Sequence, residues 1–190
     1  MRRAAPAGDA SARQPDDVVL LTRAADGDAP SVRRLLDEVA PVVYGYLFAR
    51  VGGDQASAED LLQETLLEAV RSARSFRGDA ALSTWLCAIA RRRLARYYES
   101  ERRAEATRHG LRAVPPPEPD AEDTVERRDE VVRALGRIPP SQRQVLVLKY
   151  LDGLAVEEIA AELDRTRVQV QSLLQRARDG LRRELEASGE

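Results

Sequence analysis

Histidine and cysteine are almost missing from this chain of 190 residues, which has one of each, His109 and Cys87. A single cysteine excludes an internal disulfide, and a single histidine beside it excludes the usual Cys/His zinc frameworks. Cys87 sits in the apolar run Trp85-Leu86-Cys87-Ala88-Ile89, which predicts a buried structural thiol and not a redox sensor. No apolar run approaches the length of a membrane span. Met1 to Pro15 carries arginines but no hydrophobic segment, so it reads as a disordered arm and not as a signal peptide. Alternating runs and Asn-Gly turns are missing, which leaves no strand signal. A Gly-rich phosphate loop and a nucleophile motif are missing too, so an enzyme is poorly supported.

What is present favours helices. Hydrophobic residues make up 43%, charged residues 33% and aromatics 4%, in a length that suits one or two small domains. The net charge of -2 rules out a generally basic nucleic-acid binder, but its distribution is uneven. Residues 16–68 hold 4 arginines against 11 acids, a net of -7, and residues 71–103 hold 9 arginines against 3 acids, a net of +6. An acidic front and a basic middle can engage a basic protein and a polyanion at once. Lys149 is the only lysine among thirty basic residues. Arginine suits phosphate contact, but a GC-rich genome gives the same bias.

Periodicity predicts four helices in the first half: Asp16 to Asp26, Pro30 to Arg50, Ser57 to Phe76 and Ser83 to Arg103. Ser57 with Asp60 resembles a capping box at the start of the third. Val114-Pro115-Pro116-Pro117-Glu118-Pro119-Asp120 cannot continue a helix, so residues 104–124 read as a linker. Helical pattern resumes near Thr124, stops at Ile138-Pro139-Pro140, and returns from Ser141 to Leu151.

The stretch Glu157 to Arg178 then reads as two short helices around a tight turn, the shape of a helix-turn-helix. Ile159, Ala160 and Leu163 form the first apolar stripe, Asp164-Arg165 interrupts it, and Thr166 suits the N-cap of the second helix. Val170, Leu174, Ala177 and Leu181 face inward in that helix, while Arg167, Gln171, Gln175, Arg178 and Arg182 point out. Such a face suits base edges and phosphates alike.

Three segments stand in a set order: ASAEDLLQETLLEAVRSARSFRG (56–78), STWLCAIARRRLARYYESERR (83–103) and IPPSQRQVLVLKYLDGLAVEEIAAELDRTRVQVQSLLQRAR (138–178). Together they resemble the extracytoplasmic-function (ECF) group of bacterial RNA polymerase sigma factors, over roughly residues 16–186. The resemblance implies an all-α fold of two helical domains. Residues 1–15 would be the arm, 16–103 region 2, 104–124 the flexible linker and 125–186 region 4. Glu59, Asp60, Leu61, Gln63 and Glu64 would dock on the β′ clamp helices of core polymerase, and the β flap is a second expected contact. Arg77, Trp85, Arg91, Arg92, Arg93, Arg96 and Tyr97 would recognise and melt the minus-ten region, where cations hold the displaced strand and planar groups stack on bases. Trp85, among apolar residues, also suits the core. Of Tyr97 and Tyr98, one can pack inward while the other faces out. The loop Gly78 to Ser83 would hold a flipped base, and the linker would thread toward the polymerase cleft. Arg165, Thr166, Arg167, Gln169, Gln171, Ser172, Gln175 and Arg176 would bind the minus-thirty-five element.

Departures from the family pattern are local. Arg92 stands where the family usually has Asn, and Arg96 where it often has an acid. Asp164 replaces Gly, Arg165 an aliphatic residue, Gln171 Lys and Leu173 Arg. The recognition helix thus loses two cations, each affecting the salt slope by about 0.9, while Gln171 gains the means to read adenine.

The expectation is a cytoplasmic sigma factor, nucleoid-associated when in holoenzyme, that binds core polymerase and promoter DNA. It would need no cofactor, metal or catalytic site, make no membrane insertion, and answer to an anti-sigma partner. The main rival is a helix-turn-helix regulator that binds DNA without polymerase. A helical adaptor that has lost DNA binding is a further one.

Overall fold

A computed structural model describes residues 14–107 and 125–188. The expected arm lies outside the described residues up to residue 13, and the expected linker lies outside them from 108 to 124. Every regular element among the described residues is helical. The α-helices, in chain order, are α1 (Gln14–Ala25), α2 (Ala29–Arg34), α3 (Ala40–Arg50), α4 (Gln55–Arg71), α5 (Leu82–Thr107), α6 (Val125–Arg137), α7 (Pro140–Leu146), α8 (Val156–Glu162) and α9 (Arg167–Ser188). The contacts divide the chain into two compact units, Met1–Leu47 with Glu59–Leu94, and Phe48–Ala58 with Ala95–Glu190. The division runs through α4 and α5 as well as α3.

In the first unit the helices bury the stripes that their spacing dictates. Leu21 and Val43 are fully buried, as are Thr65, Leu86 and Ile89, each large apolar side chain contributing about 1.5–3 kcal/mol of transfer free energy. The helix expected unbroken from Pro30 to Arg50 contains a π turn, Leu35–Val39, before α3. Pro41 explains it. Proline has no N–H to return to Asp37, and the ladder shifts so that the Ala40 N–H donates to the Leu35 carbonyl.

Two helix starts differ from the sequence reading. Asp54, not Ser57, begins α4: its carboxylate accepts the Ser57 N–H at 3.3 Å and the Ser57 hydroxyl at 2.8 Å. At α5 the Leu82 N–H donates to the Asp17 carboxylate, 65 residues away in sequence, at 2.9 Å. Cys87 is half-buried and not buried as expected, because the inward stripe of α5 runs through Leu82, Leu86, Ile89, Ala90 and Leu94 and passes beside it.

The second unit has its own apolar core, built from Leu135, Ile138, Val145, Leu148, Ile159, Leu163, Val170 and Leu174 among others. α9 is its spine, against which α6, α7 and α8 pack. A second π turn, Val147–Leu151, follows α7. The same unit contains a polar seam. Arg50 Nε and Nη2 both donate to one Asp152 oxygen, at 3.2 and 2.6 Å, with both side chains more than nine-tenths buried. The Tyr98 hydroxyl donates to the Arg50 carbonyl at 2.8 Å. Gly52, at φ +73°, lies against Gly136 of α6 so closely that a Cβ on Gly136 would strike the Gly52 carbonyl oxygen.

Candidate nucleic-acid interface

The helix-turn-helix is set by local backbone chemistry. Glu158 accepts the Ala155 N–H at 2.7 Å, which holds the entry to α8. The turn after α8 passes through Asp164 at φ +49°, a left-handed conformation that Asp tolerates better than most residues. The Arg165 N–H closes the turn on the Ala160 carbonyl at 2.9 Å. Thr166 then caps α9: the Gln169 N–H donates to its hydroxyl at 3.3 Å, and the Thr166 N–H donates to the Gln169 side-chain oxygen at 2.8 Å. These two residues, both expected at the DNA, use their side chains to aim the helix.

The outer face of α9 is open. Arg165, Arg167, Gln171, Ser172, Gln175 and Arg176 are exposed. Arg167 is paired with Glu157 at 3.2 Å, in solvent, where such a pair is readily exchanged for another anion. Gln175 donates to Asp179 at 3.2 Å. Arg178 donates to the Tyr150 hydroxyl at 2.9 Å and lies 6.0 Å from that ring's centre. The inner face is Val170, Leu173, Leu174 and Ala177, all buried. One exposed residue escaped the sequence reading. Val168 stands on the outer face beside Gln171, and its phase against the buried Val170 was the available signal.

On α5 the arginines fall into two kinds. Arg91, Arg92 and Arg96 are exposed, as is Arg77 before the helix. Arg93 is half-buried and already engaged, 3.0 Å from Glu68 and 3.6 Å from Glu64 on α4. Trp85 is half-buried with its ring 5.1 Å from that of Phe76. Tyr98 is buried and Tyr97 half-buried, and loss of solvent pushes both hydroxyls to higher pKa.

The acidic face belongs to α4. Glu59, Asp60, Gln63 and Glu64 are exposed, but Leu61 is only 6% exposed and packs in the core. It therefore offers no docking surface. Leu67 is 51% exposed and continues the stripe Asp60, Gln63, Glu64 at helical spacing. Asp60, Gln63, Glu64 and Leu67 follow i, i+3, i+4, i+7, a phase visible in the sequence. Among the described residues no cluster of three His, Cys, Asp or Glu forms a metal site, and no helix is long and apolar enough to cross a membrane.

The family described as Sigma-70 region 2 matches residues 35–104, and the one described as Sigma-70, region 4 matches residues 128–180. The chain is 34% identical over 178 residues to the ECF RNA polymerase sigma factor BldN of Streptomyces coelicolor, covering 90% of this chain and 66% of that protein. It is 31% identical over 170 residues to the ECF RNA polymerase sigma factor SigK of Mycobacterium sp. (strain JLS), covering 86% of each. A solved structure of the RsbN-BldN complex is also similar, with 28% identity and a TM-score of 0.36, covering 86% of this chain and 97% of that one.

Proposed function

This chain belongs to the ECF sigma factors of RNA polymerase, and from that membership we propose how its surfaces divide the work of promoter-specific initiation. The stripe Asp60, Gln63, Glu64 and Leu67 on α4, with Glu59 beside it, holds the β′ clamp helices: acids meet a basic partner and Leu67 supplies apolar contact. Arg77, Arg91, Arg92 and Arg96 hold the strands of the minus-ten region by their phosphates while it opens. Trp85 and Tyr97, both half-buried, are the aromatic groups that stack on the unpaired bases.

In the second unit, α9 enters the major groove of the minus-thirty-five element. Gln171 and Ser172 face bases there, and Arg165, Arg167 and Arg176 face phosphates. Thr166 and Gln169 position the helix. An apolar cavity of about 480 Å³, lined by Val131, Leu135, Leu146, Tyr150 and Leu181, is where the β flap docks. The linker between α5 and α6 threads toward the polymerase cleft. An anti-sigma protein is the partner that covers these surfaces. The chain works in the cytoplasm and supplies no catalytic group, since bond formation belongs to the polymerase.

The single observation that carries this reading is the outward exposure of acids on α4 and arginines on α5, two adjoining helices of opposite sign. Run-off transcription with purified core polymerase on genomic promoter fragments tests it. New transcripts should require this protein and vanish with Asp60→Arg. Promoter binding by the protein alone, with no transcript when core polymerase is added, would support a regulator that works without polymerase.

A further inference from the structure

Val168 is 73% exposed, more than any other large hydrophobic residue among those described. Single apolar residues are common on protein surfaces, and Val168 alone would carry nothing. Its surroundings give it meaning. Val168, Gln171, Ser172 and Gln175 follow the i, i+3, i+4, i+7 spacing and share one face of α9. All four are exposed and none is charged. Arg165 and Arg167 lie at one end of this neutral stripe, Arg176 and Arg178 toward the other. Val168 cannot turn inward, because the inner face is filled by Val170, Leu173, Leu174 and Ala177.

A recognition helix meets base edges through its N-terminal residues, and Val168 is the second residue of α9. The apolar group on a base edge in the major groove is the thymine C5-methyl. Valine offers two methyl groups held in one rotamer by the helix, and so makes a firm apolar contact. Gln171, almost one turn further, can bond the N6 and N7 atoms of adenine. An A·T pair displays both features, the methyl on one strand and N6 with N7 on the other.

We propose that Val168 is a specificity-determining residue that packs on a thymine methyl in the upstream promoter element, beside an adenine taken by Gln171. The proposal rests on the reading of α9 as the major-groove helix. It predicts an A·T pair in the upstream element at the position that Val168 reaches.

The test uses holoenzyme assembled from core polymerase and the full chain, with a promoter recovered by run-off transcription. Upstream thymines are replaced singly by deoxyuridine, which removes the C5-methyl and nothing else. At one position affinity should fall about four-fold, the worth of one buried methyl. With Val168→Ala the same replacement should have a clearly smaller effect, and the variant should stay folded because alanine is the better helix former. No deoxyuridine effect in the natural protein, an equal effect in both proteins, or promoters without upstream thymine would overturn the proposal. Transversions of upstream base pairs separate the two levels. If they weaken binding while deoxyuridine does not, only the role of Val168 fails; if they too are silent, the reading of α9 fails with it.

Discussion

The two helices proposed to meet DNA, α5 and α9, are both long and rich in arginine, yet they are built in opposite ways. α5 concentrates Arg91, Arg92 and Arg96 on its surface within a turn and a half. It is fixed by groups distant in sequence, Asp17 at its start and Glu68 on Arg93. α9 places its arginines around a neutral outer stripe and caps itself through Thr166 and Gln169. A dense cationic surface grips phosphate whatever the sequence, whereas a neutral stripe with donors, acceptors and a methyl-bearing side chain can tell one base from another. The difference separates holding and opening DNA from reading it.

The largest expected effect concerns α4, whose Glu64 and Glu68 pair with Arg93 of α5. Leu61→Ala should cost about 2–5 kcal/mol of stability, measured by denaturant unfolding, because it empties a core position. Leu67→Ala should leave stability within about 0.5 kcal/mol and weaken binding to core polymerase instead. Next comes the contrast between the two DNA helices. The double variant Arg92→Ala/Arg96→Ala should weaken holoenzyme binding on every promoter alike and lower the salt slope by about 1.8. Gln171→Ala should cost about 1–3 kcal/mol on promoters with the matching upstream base and little on others, in a competition assay across a promoter set.

A smaller effect is expected at Arg93. Since Glu64 and Glu68 already share its charge, Arg93→Ala should reduce the salt slope by less than Arg92→Ala does. A salt titration of the two variants side by side would show the order. The smallest is a pH effect. Burial raises the pKa of Tyr98 and Tyr97 above the ordinary value of 10.0, so the folded state prefers their neutral form. Their contribution is full below about pH 10 and is lost progressively as pH climbs from there toward the raised values. Thermal unfolding between pH 9 and about 11 should show this fall, and Tyr98→Phe should blunt it.

Local signals made much of this legible in advance. The apolar spacing of Ile159, Leu163, Val170 and Leu174 and the capping chemistry of Thr166 belong to single helices, and the fold follows them. Leu61 is set inward by the helical phase alone, although its neighbours Glu59, Asp60 and Gln63 are all exposed. Pro41 was visible, but its effect is felt upstream, at the π turn from Leu35. Ser57 lost its place to Asp54 because either residue has a capping side chain and nothing local chooses between them. The Arg50–Asp152 pair and the Gly52–Gly136 approach join residues far apart in sequence, where no periodicity could bring them together.

The most direct test of the division between α5 and α9 is permanganate reactivity of unpaired thymines in promoter complexes at saturating holoenzyme. With Gln171→Ala, full reactivity in the minus-ten region should return once enough holoenzyme is added, because only reading is impaired. With Arg92→Ala/Arg96→Ala, reactivity should stay low although the promoter is occupied. Equal and complete melting by both variants at saturation, or a melting defect confined to the Gln171 variant, would contradict the account.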